Sequence, residues 1–297
     1  MNTTERIPFK VDISRVIEVL AKQIYQSPLA LLRENTQNSY DAILLRRAKH
    51  SAFEPKIEIE ITPTSVTVID NGIGMTREEL KNNFWQAGSS SKNTDEARAA
   101  GVVGTFGIGA MANFGIAESL TVETEGVGAS ERIRCQANRS TLSATEDCIS
   151  FDLLPATGAF GTRVTATLLH GKTINVQEAI GYISEFVMFL PISVIVNGAE
   201  RSRQTYAVAV PELPVQWEYS PGQIDLGRGF SGKVRITGAA NGEVRIETSG
   251  LSAGGSPLPG ILLLRQGLGS LRTFRSGFGL ATTTVHSVYG LGGVADF

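Results

Sequence analysis

Cysteine and histidine are scarce in this chain. Cys135 and Cys148 are its only cysteines, too few for a disulfide framework, and buried free thiols are the expectation for them. The three histidines are His50, His170 and His286. His50 reads as a surface residue near a helix C-terminus, interacting with the helix dipole. An excess of one charge is missing too. The formal net charge of −2 leaves no electrostatic footprint for nucleic acid or an acidic membrane. The longest apolar run, "FVMFLPISVIV", is too short to cross a bilayer and contains a proline. "MNTTERIPFK" has no apolar core and is not a signal peptide. What is present is 297 residues with 42% hydrophobic and 19% charged content. That is ordinary for a folded protein of one large or two modest domains, expected in the cytoplasm.

Periodicity organises the first two thirds. A helix is predicted around Ser14–Tyr25, and Ser27 and Pro28 supply an N-cap and a first-turn proline for the next one. "KIEIEIT" and "SVTVIDNG" alternate with period two around Pro63 and predict an antiparallel hairpin. Thr76 and Glu79 form a capping box for a helix over "TREELKNNFWQA". "GSSSKNTDEARAAGVVGTFGIG" is long for a connection and has the character of a functional lid. Strands are predicted at "SLTVETEG", "RIRCQA", "ISFDLL" and "TRVTATLL", then a helix over Val176–Phe189, then the strand "ISVIVNG". This order predicts an α/β two-layer sandwich, a mostly antiparallel mixed sheet covered by helices. Beyond Asn197 helical patterns vanish and glycine increases, so a domain boundary is predicted near residue 200. A 1–200 domain would be followed by a smaller β-rich segment over 201–297.

"LLRENTQNSYDAILL", residues 31 to 45, poses the functional question. Glu34, Asn38 and Asp41 fall within about 60° of one another on the helical wheel, interrupting an apolar face beside Leu31 and Leu45. A buried carboxylate without a partner is costly, so a compensating group or water must reach this stripe.

Two glycine clusters come next. In "VIDNGIGM" a strand delivers Asp70 to Gly72 and Gly74. In "GTFGIGAMANF", Gly104, Gly107 and Gly109 lead into a predicted helix. Successive backbone N–H groups opening a helix suit an anion, and glycine lets phosphate oxygens approach the main chain. Other phosphate motifs fail on spacing. "HGKT" at 170–173 mimics the end of a P-loop, but Ala166 stands where its first glycine is required. "GTFGIG" is GxxGxG without a preceding strand, whereas a dinucleotide fingerprint needs GxGxxG inside a βαβ unit. Singly each cluster is a turn or a surface pair; their serial order favours function.

That series resembles the ATP-binding superfamily of gyrase B, HtpG-type heat-shock chaperones, sensor histidine kinases and MutL, whose fold is the Bergerat-type sandwich. Within it the chain is most similar to the ninety-kilodalton heat-shock chaperones. "RENTQNSYDA" resembles their E-x-x-x-N-x-x-D-A helix, and "DNGIGMTREEL" with the nearby "NNF" resembles their D-x-G-I-G-M-T-x-x-E-L stretch. "GTFGIGAMANFGIAESLTV" resembles their glycine lid with its succeeding helix and strand.

The resemblance implies an ATPase that uses ATP/ADP and Mg²⁺. It makes Glu34 the general base, Asn38 the Mg²⁺ ligand and Asp41 a base-pocket residue acting through water. Asp70 would accept from the adenine amino group, with Gly74 and Thr162 completing a water-linked contact. Met75 would pack on adenine and Asn83 would touch the ribose or phosphate side. Gly104, Phe106, Gly107, Ile108 and Gly109 would wrap the phosphates, and Phe114 would pack near the ribose. The family's A-K-S-G-T lid segment is replaced by "QAGSSSKN", with Lys92 as the candidate for its lysine. "GILLLRQGLGSL" and "VYGLGGVADF" resemble the start of a middle domain that continues past the chain's end. The arginine expected to reach the γ-phosphate and the dimerisation domain would lie beyond, so slow hydrolysis is expected. Client proteins and homodimerisation of the longer protein are implied, with no membrane partner. A MutL- or gyrase-type DNA clamp is the alternative, against which the charge counts, and a pseudo-ATPase switch is a third possibility, against which Glu34 counts. A histidine kinase is disfavoured because no phospho-acceptor helix precedes the domain.

Overall fold

The computed structural model describes residues 16, 28–50, 52–86, 111, 113–143, 146–286 and 288–297. They form two compact units. One runs up to Tyr182 and includes Ile195–Gly198; the other comprises Ile183–Val194 and Ala199–Phe297. The helix predicted around Ser14–Tyr25 and the "GSSSKNTDEARAAGVVGTFGIG" stretch lie outside the described residues, Val16 apart.

Helix α1, Ala30–Lys49, starts later than predicted. Pro28 lies in a turn, Leu29 occupies the cap position without a side-chain cap, and Leu32 N–H donates to Leu29 O at 2.9 Å. Strands β1 (Lys56–Ile61) and β2 (Ser65–Asp70) form the expected hairpin, with Ile57 opposite Asp70 and Ile61 opposite Val66. Alternation places Ile57, Ile59 and Ile61 in the core because successive strand side chains point to opposite faces. Next are β3 (Ala117–Glu125), β4 (Glu131–Asn138), β5 (Ile149–Pro155) and β6 (Gly161–Leu168). Then come helix α2 (Val176–Val187), β7 (Ser193–Val196) and the two-residue β8 (Ala199–Glu200). The sheet order is β5-β4-β3-β6-β2-β1-β7-β8, and the pairings from β5 through to β1 are antiparallel. α1 packs across β2. This is the α/β layering that the element order implied.

The helix predicted over "TREELKNNFWQA" is corrected. Its capping box is present, with Thr76 Oγ1 accepting from Glu79 N–H and the Glu79 carboxylate accepting from Thr76 N–H. The α-helical part is only Arg77–Glu79, and Leu80–Phe84 widens into a π-turn, closed by Trp85 N–H on Leu80 O at 2.9 Å. Leu80 thereby enters an apolar cluster with Phe114, Leu120, Val122, Ile133 and Cys135. Cys135 is a buried free thiol that accepts from Trp85 Nε1–H at 3.2 Å, and burial pushes its pKa up to about 11. Cys148 is also free, though only half-buried.

The second unit is β-rich. Its sheet runs β15-β14-β16-β13-β11-β10-β9, with the short β12 pairing β11. The strands are β9 (Trp217–Gly227), β10 (Phe230–Gly238), β11 (Val244–Ala253), β12 (Ser256–Pro257), β13 (Ile261–Gln266), β14 (Ser270–Arg275), β15 (Phe278–Thr284) and β16 (Leu291–Asp296). β14 and β16 are parallel. Phe189, Val210, Leu263, Phe274 and Val294 form its core. Tyr206 O–H donates to Asp296 Oδ2 at 2.6 Å, while Asp296 Oδ1 accepts from Gly277 N–H at 3.1 Å. No helix among the described residues is long and apolar enough to cross a membrane.

Candidate nucleotide site

Asp70 ends β2 and is the centre of the candidate site. Its Oδ1 accepts from Gly72 N–H at 2.8 Å, and its carboxylate also bonds the Ser39 hydroxyl of α1 and the Thr162 N–H that opens β6. The β2–β6 register brings Thr162 opposite Asp70. Only 7% of Asp70 is exposed. Burial raises its pKa to about 7, against the opposing effect of the three hydrogen bonds, because removal from water disfavours the charged form.

The turn after Asp70 is shaped by its glycines. A Cβ on Gly72 would sit 2.7 Å from the backbone of Ala42, and Ile73 N–H donates to Ala42 O at 3.0 Å, so the turn lies directly on α1. Gly74 has φ 67° and lies against the Glu125 carbonyl. Met75 N–H donates to Thr124 Oγ1 at 3.0 Å, and that hydroxyl is 3.0 Å from both Thr162 Oγ1 and Gly161 O. Glu125 holds the segment before β6, its carboxylate accepting from the N–H and hydroxyl of Thr157 and from Gly158 N–H. These bonds, led by the Thr157 N–H, keep its carboxyl below the usual carboxylate range. Asp70, Gly74, Met75 and Thr162 are therefore joined through α1, β2, β3 and β6.

On α1, Glu34 and Asn38 are half-buried and one turn apart, and Asp41 is buried. The helix also buries three polar residues that the helical wheel does not single out, Asn35, Thr36 and Ser39. Asn35 and Asn113 exchange amide hydrogen bonds of 2.7 and 3.3 Å. Thr124 escaped notice as well. It lies at the end of β3, where Thr124 and Glu125 are both buried and strict alternation breaks only in the folded sheet. Asn83 is half-buried in the π-turn, with no contact joining it to Asp70 among the described residues. Phe114 is 2% exposed within the apolar cluster, and Arg139 Nη1 donates to its carbonyl at 2.8 Å. Lys92, Gly104, Phe106, Gly107, Ile108 and Gly109 lie outside the described residues.

A buried acceptor at a strand end suits an exocyclic amino group, and a glycine turn admits a flat base close to the backbone. An acid and an amide one helical turn apart add what phosphoryl chemistry needs, a base and a metal ligand. One amide oxygen is sufficient for Mg²⁺, which keeps most of its water and takes its other ligands from phosphates. Fold and candidate site together suit a nucleotide-binding domain.

The comparisons with known proteins narrow the class. Residues 26–157 match the family described as "Histidine kinase-, DNA gyrase B-, and HSP90-like ATPase", and that segment of the chain is a domain of this family. Over a longer span the chain is a distant relative of bacterial HtpG chaperones. It is 27% identical over 224 residues to "Chaperone protein HtpG" of Rhodopseudomonas palustris (strain HaA2), covering 66% of this chain and 34% of that protein. The HtpG of Oceanobacillus iheyensis is 25% identical over 235 residues, 70% of this chain and 36% of that protein. That of Halalkalibacterium halodurans is 32% identical over 139 residues, 42% of this chain and 22% of its own length. The chain thus spans about a third of the length of the first of these relatives.

Proposed function

We propose that this chain binds Mg²⁺–ATP and hydrolyses it to ADP as the ATPase part of an HtpG-like chaperone that assists protein folding. The observation that carries the reading is the Asp70 carboxylate, buried at a strand end and linked to α1 by Ser39 and to β6 by Thr162. Asp70 accepts from the adenine amino group, and Gly74, Thr162 and Asp41 order the water around the base. Met75 packs on the ring, and Asn83 and Phe114 serve the ribose side. Glu34 orients and deprotonates the attacking water, and Asn38 supplies the amide oxygen for Mg²⁺. When bound, Mg²⁺ neutralises charge on the phosphates, a reaction that needs positioning and charge stabilisation more than covalent help. Lys92, Gly104, Phe106, Gly107, Ile108 and Gly109 are assigned to the phosphates. A 1–200 ATP-binding domain followed by the start of a middle domain over 201–297 fits this reading, as do client proteins, a homodimer of the longer protein and a cytoplasmic location.

Calorimetric titration of ADP and ATP, with and without Mg²⁺, tests it. Micromolar, Mg²⁺-assisted binding is expected, with slow turnover by this chain. Glu34→Ala should keep that affinity within a few-fold and lower turnover by about 10²-fold or more, the usual worth of a positioned base. Turnover unchanged in Glu34→Ala would remove Glu34 from its role. Fast turnover, independent of protein concentration, would show that hydrolysis needs nothing beyond this chain.

A further inference from the structure

α1 carries a second polar stripe, of which the nucleotide reading uses only Ser39. Asn35 and Asn113, 3% and 0% exposed, exchange two amide hydrogen bonds across 78 positions of sequence. One turn further along α1, Ser39 bonds Asp70. Residues four apart lie on one helix face, so the two tethers hold the same side of α1 at successive turns. Each tether is preceded by a proposed functional residue, Glu34 before Asn35 and Asn38 before Ser39. Glu34 and Asn38 therefore share a stripe about 100° around the helix from the tethers.

Two apolar side chains could fill the Asn35–Asn113 space at little cost in stability, because replacing both partners of a buried hydrogen bond by apolar groups is often nearly neutral. What an amide pair adds is direction. Leu31, Leu32 and Ile43 are buried, but the hydrophobic effect that buries them is non-directional. Side-chain ends lie about 5–6 Å from a helix axis, so a 10° rotation moves them by about 1 Å. A misplacement of about 1 Å can cost 10²-fold in rate.

We propose that Asn113 is a positioning residue: through Asn35, and in concert with the Ser39–Asp70 bond, it fixes the rotation of α1 that aims Glu34 and Asn38 at the Mg²⁺–phosphate end of the nucleotide. The inference rests on the nucleotide reading above. It separates the two ends of the site, since Asp70 is held by Gly72, Ser39 and Thr162 and needs no contact with Asn113.

Calorimetry on the full chain tests it with two probes. Adenosine reads the Asp70 end, and the gain in ATP affinity on adding Mg²⁺ reads the Glu34–Asn38 end. In Asn113→Ala and in Asn35→Leu/Asn113→Ala, adenosine affinity stays within about twofold of the wild type, while the Mg²⁺-dependent gain and the turnover fall about tenfold or more. The single variant strands one buried amide and melts lower; the double variant melts near the wild type, which separates position from stability. A double variant with the wild-type Mg²⁺ gain and turnover overturns the proposal and leaves the pair as core packing. Parallel loss of adenosine binding also overturns it, since the pair would then be holding the whole pocket. A wild type that binds neither adenosine nor ATP removes the nucleotide reading itself, and this inference with it.

Discussion

Asp70→Asn is expected to bind neither ADP nor ATP and yet to be more stable than the wild type at pH 8. The Asp70 pKa is raised from 3.8 to about 7 by burial, so the folded state holds this proton more tightly than the unfolded chain does. The contribution to stability is neutral below pH 4. It becomes unfavourable as pH rises from 4 to 7 and is constant above, at most about 4 kcal/mol at 1.36 kcal/mol per unit. An amide carries no charge to desolvate. Its oxygen can accept from Gly72 N–H, and the Ser39 hydroxyl can turn to accept from its NH₂ group, while the bond with Thr162 N–H is put at risk. A net gain of about 1–3 kcal/mol at pH 8 remains after one weakened hydrogen bond, shrinking between pH 7 and pH 4. Urea denaturation followed by Trp85, with Trp217→Phe removing the chain's other tryptophan, measures it at the two ends of that range. The same titration affects the ligand. Adenosine has no titrating phosphate, and its affinity for the wild type should fall about tenfold from pH 8 to pH 6 as Asp70 protonates. A pH-independent stability difference, or undiminished adenosine binding by Asp70→Asn, would displace Asp70 from the centre of the site.

Local signals survived translation into structure where one rule governed the element. β1 and β2 alternate cleanly, and the Thr76–Glu79 box starts a helix where its chemistry requires. The length of that helix was not legible, because the chain widens at Leu80 and places its side chain in the cluster with Phe114 and Leu120. The sheet order was hidden too. Alternation tells which face of β3 or β6 is buried, but not that these strands, separated in sequence by β4 and β5, lie side by side. In the second unit, glycines dilute the period: β16 reads LGGVAD, and a Cβ on Gly292 would sit 2.6 Å from Ser270 N.

For the candidate site, the motifs pointed to α1 and the Asp70 turn, and the family resemblance added Thr162 at the start of β6. Glu34, Asn38 and Asp41 were visible because acids and amides on an apolar face stand out. Ser39, Asn35 and Thr124 were not, being small polar residues with no anomaly of their own. Their meaning lies in partners 31, 78 and 38 positions away, namely Asp70, Asn113 and Thr162. Pairings across such distances are properties of the folded sheet, and no local pattern encodes them.

Gly74→Ala is expected to cost about 4 kcal/mol and to abolish nucleotide binding, whereas Gly128→Ala should cost only about 1–2 kcal/mol and leave binding intact. Both glycines have φ in the left-handed region, 67° and 78°, so both substitutions carry the same backbone penalty. They differ in what a side chain would meet. Around Gly128 nothing lies within 4 Å of an added Cβ, whereas at Gly74 it would overlap the carbonyl of Glu125. That carbonyl cannot retreat easily. It belongs to the end of β3, Glu125 is opposite Gly161 in the β3–β6 ladder, and its side chain holds Thr157 and Gly158. Relief must come from the turn instead, moving Ile73 off Ala42 O or Met75 off Thr124 Oγ1, and either movement displaces the backbone beside Asp70. Comparing the two variants by urea denaturation and adenosine titration subtracts the common left-handed cost and isolates the close approach. Equal destabilisation would mean that the strand end yields, and that Gly74 is required only for its φ.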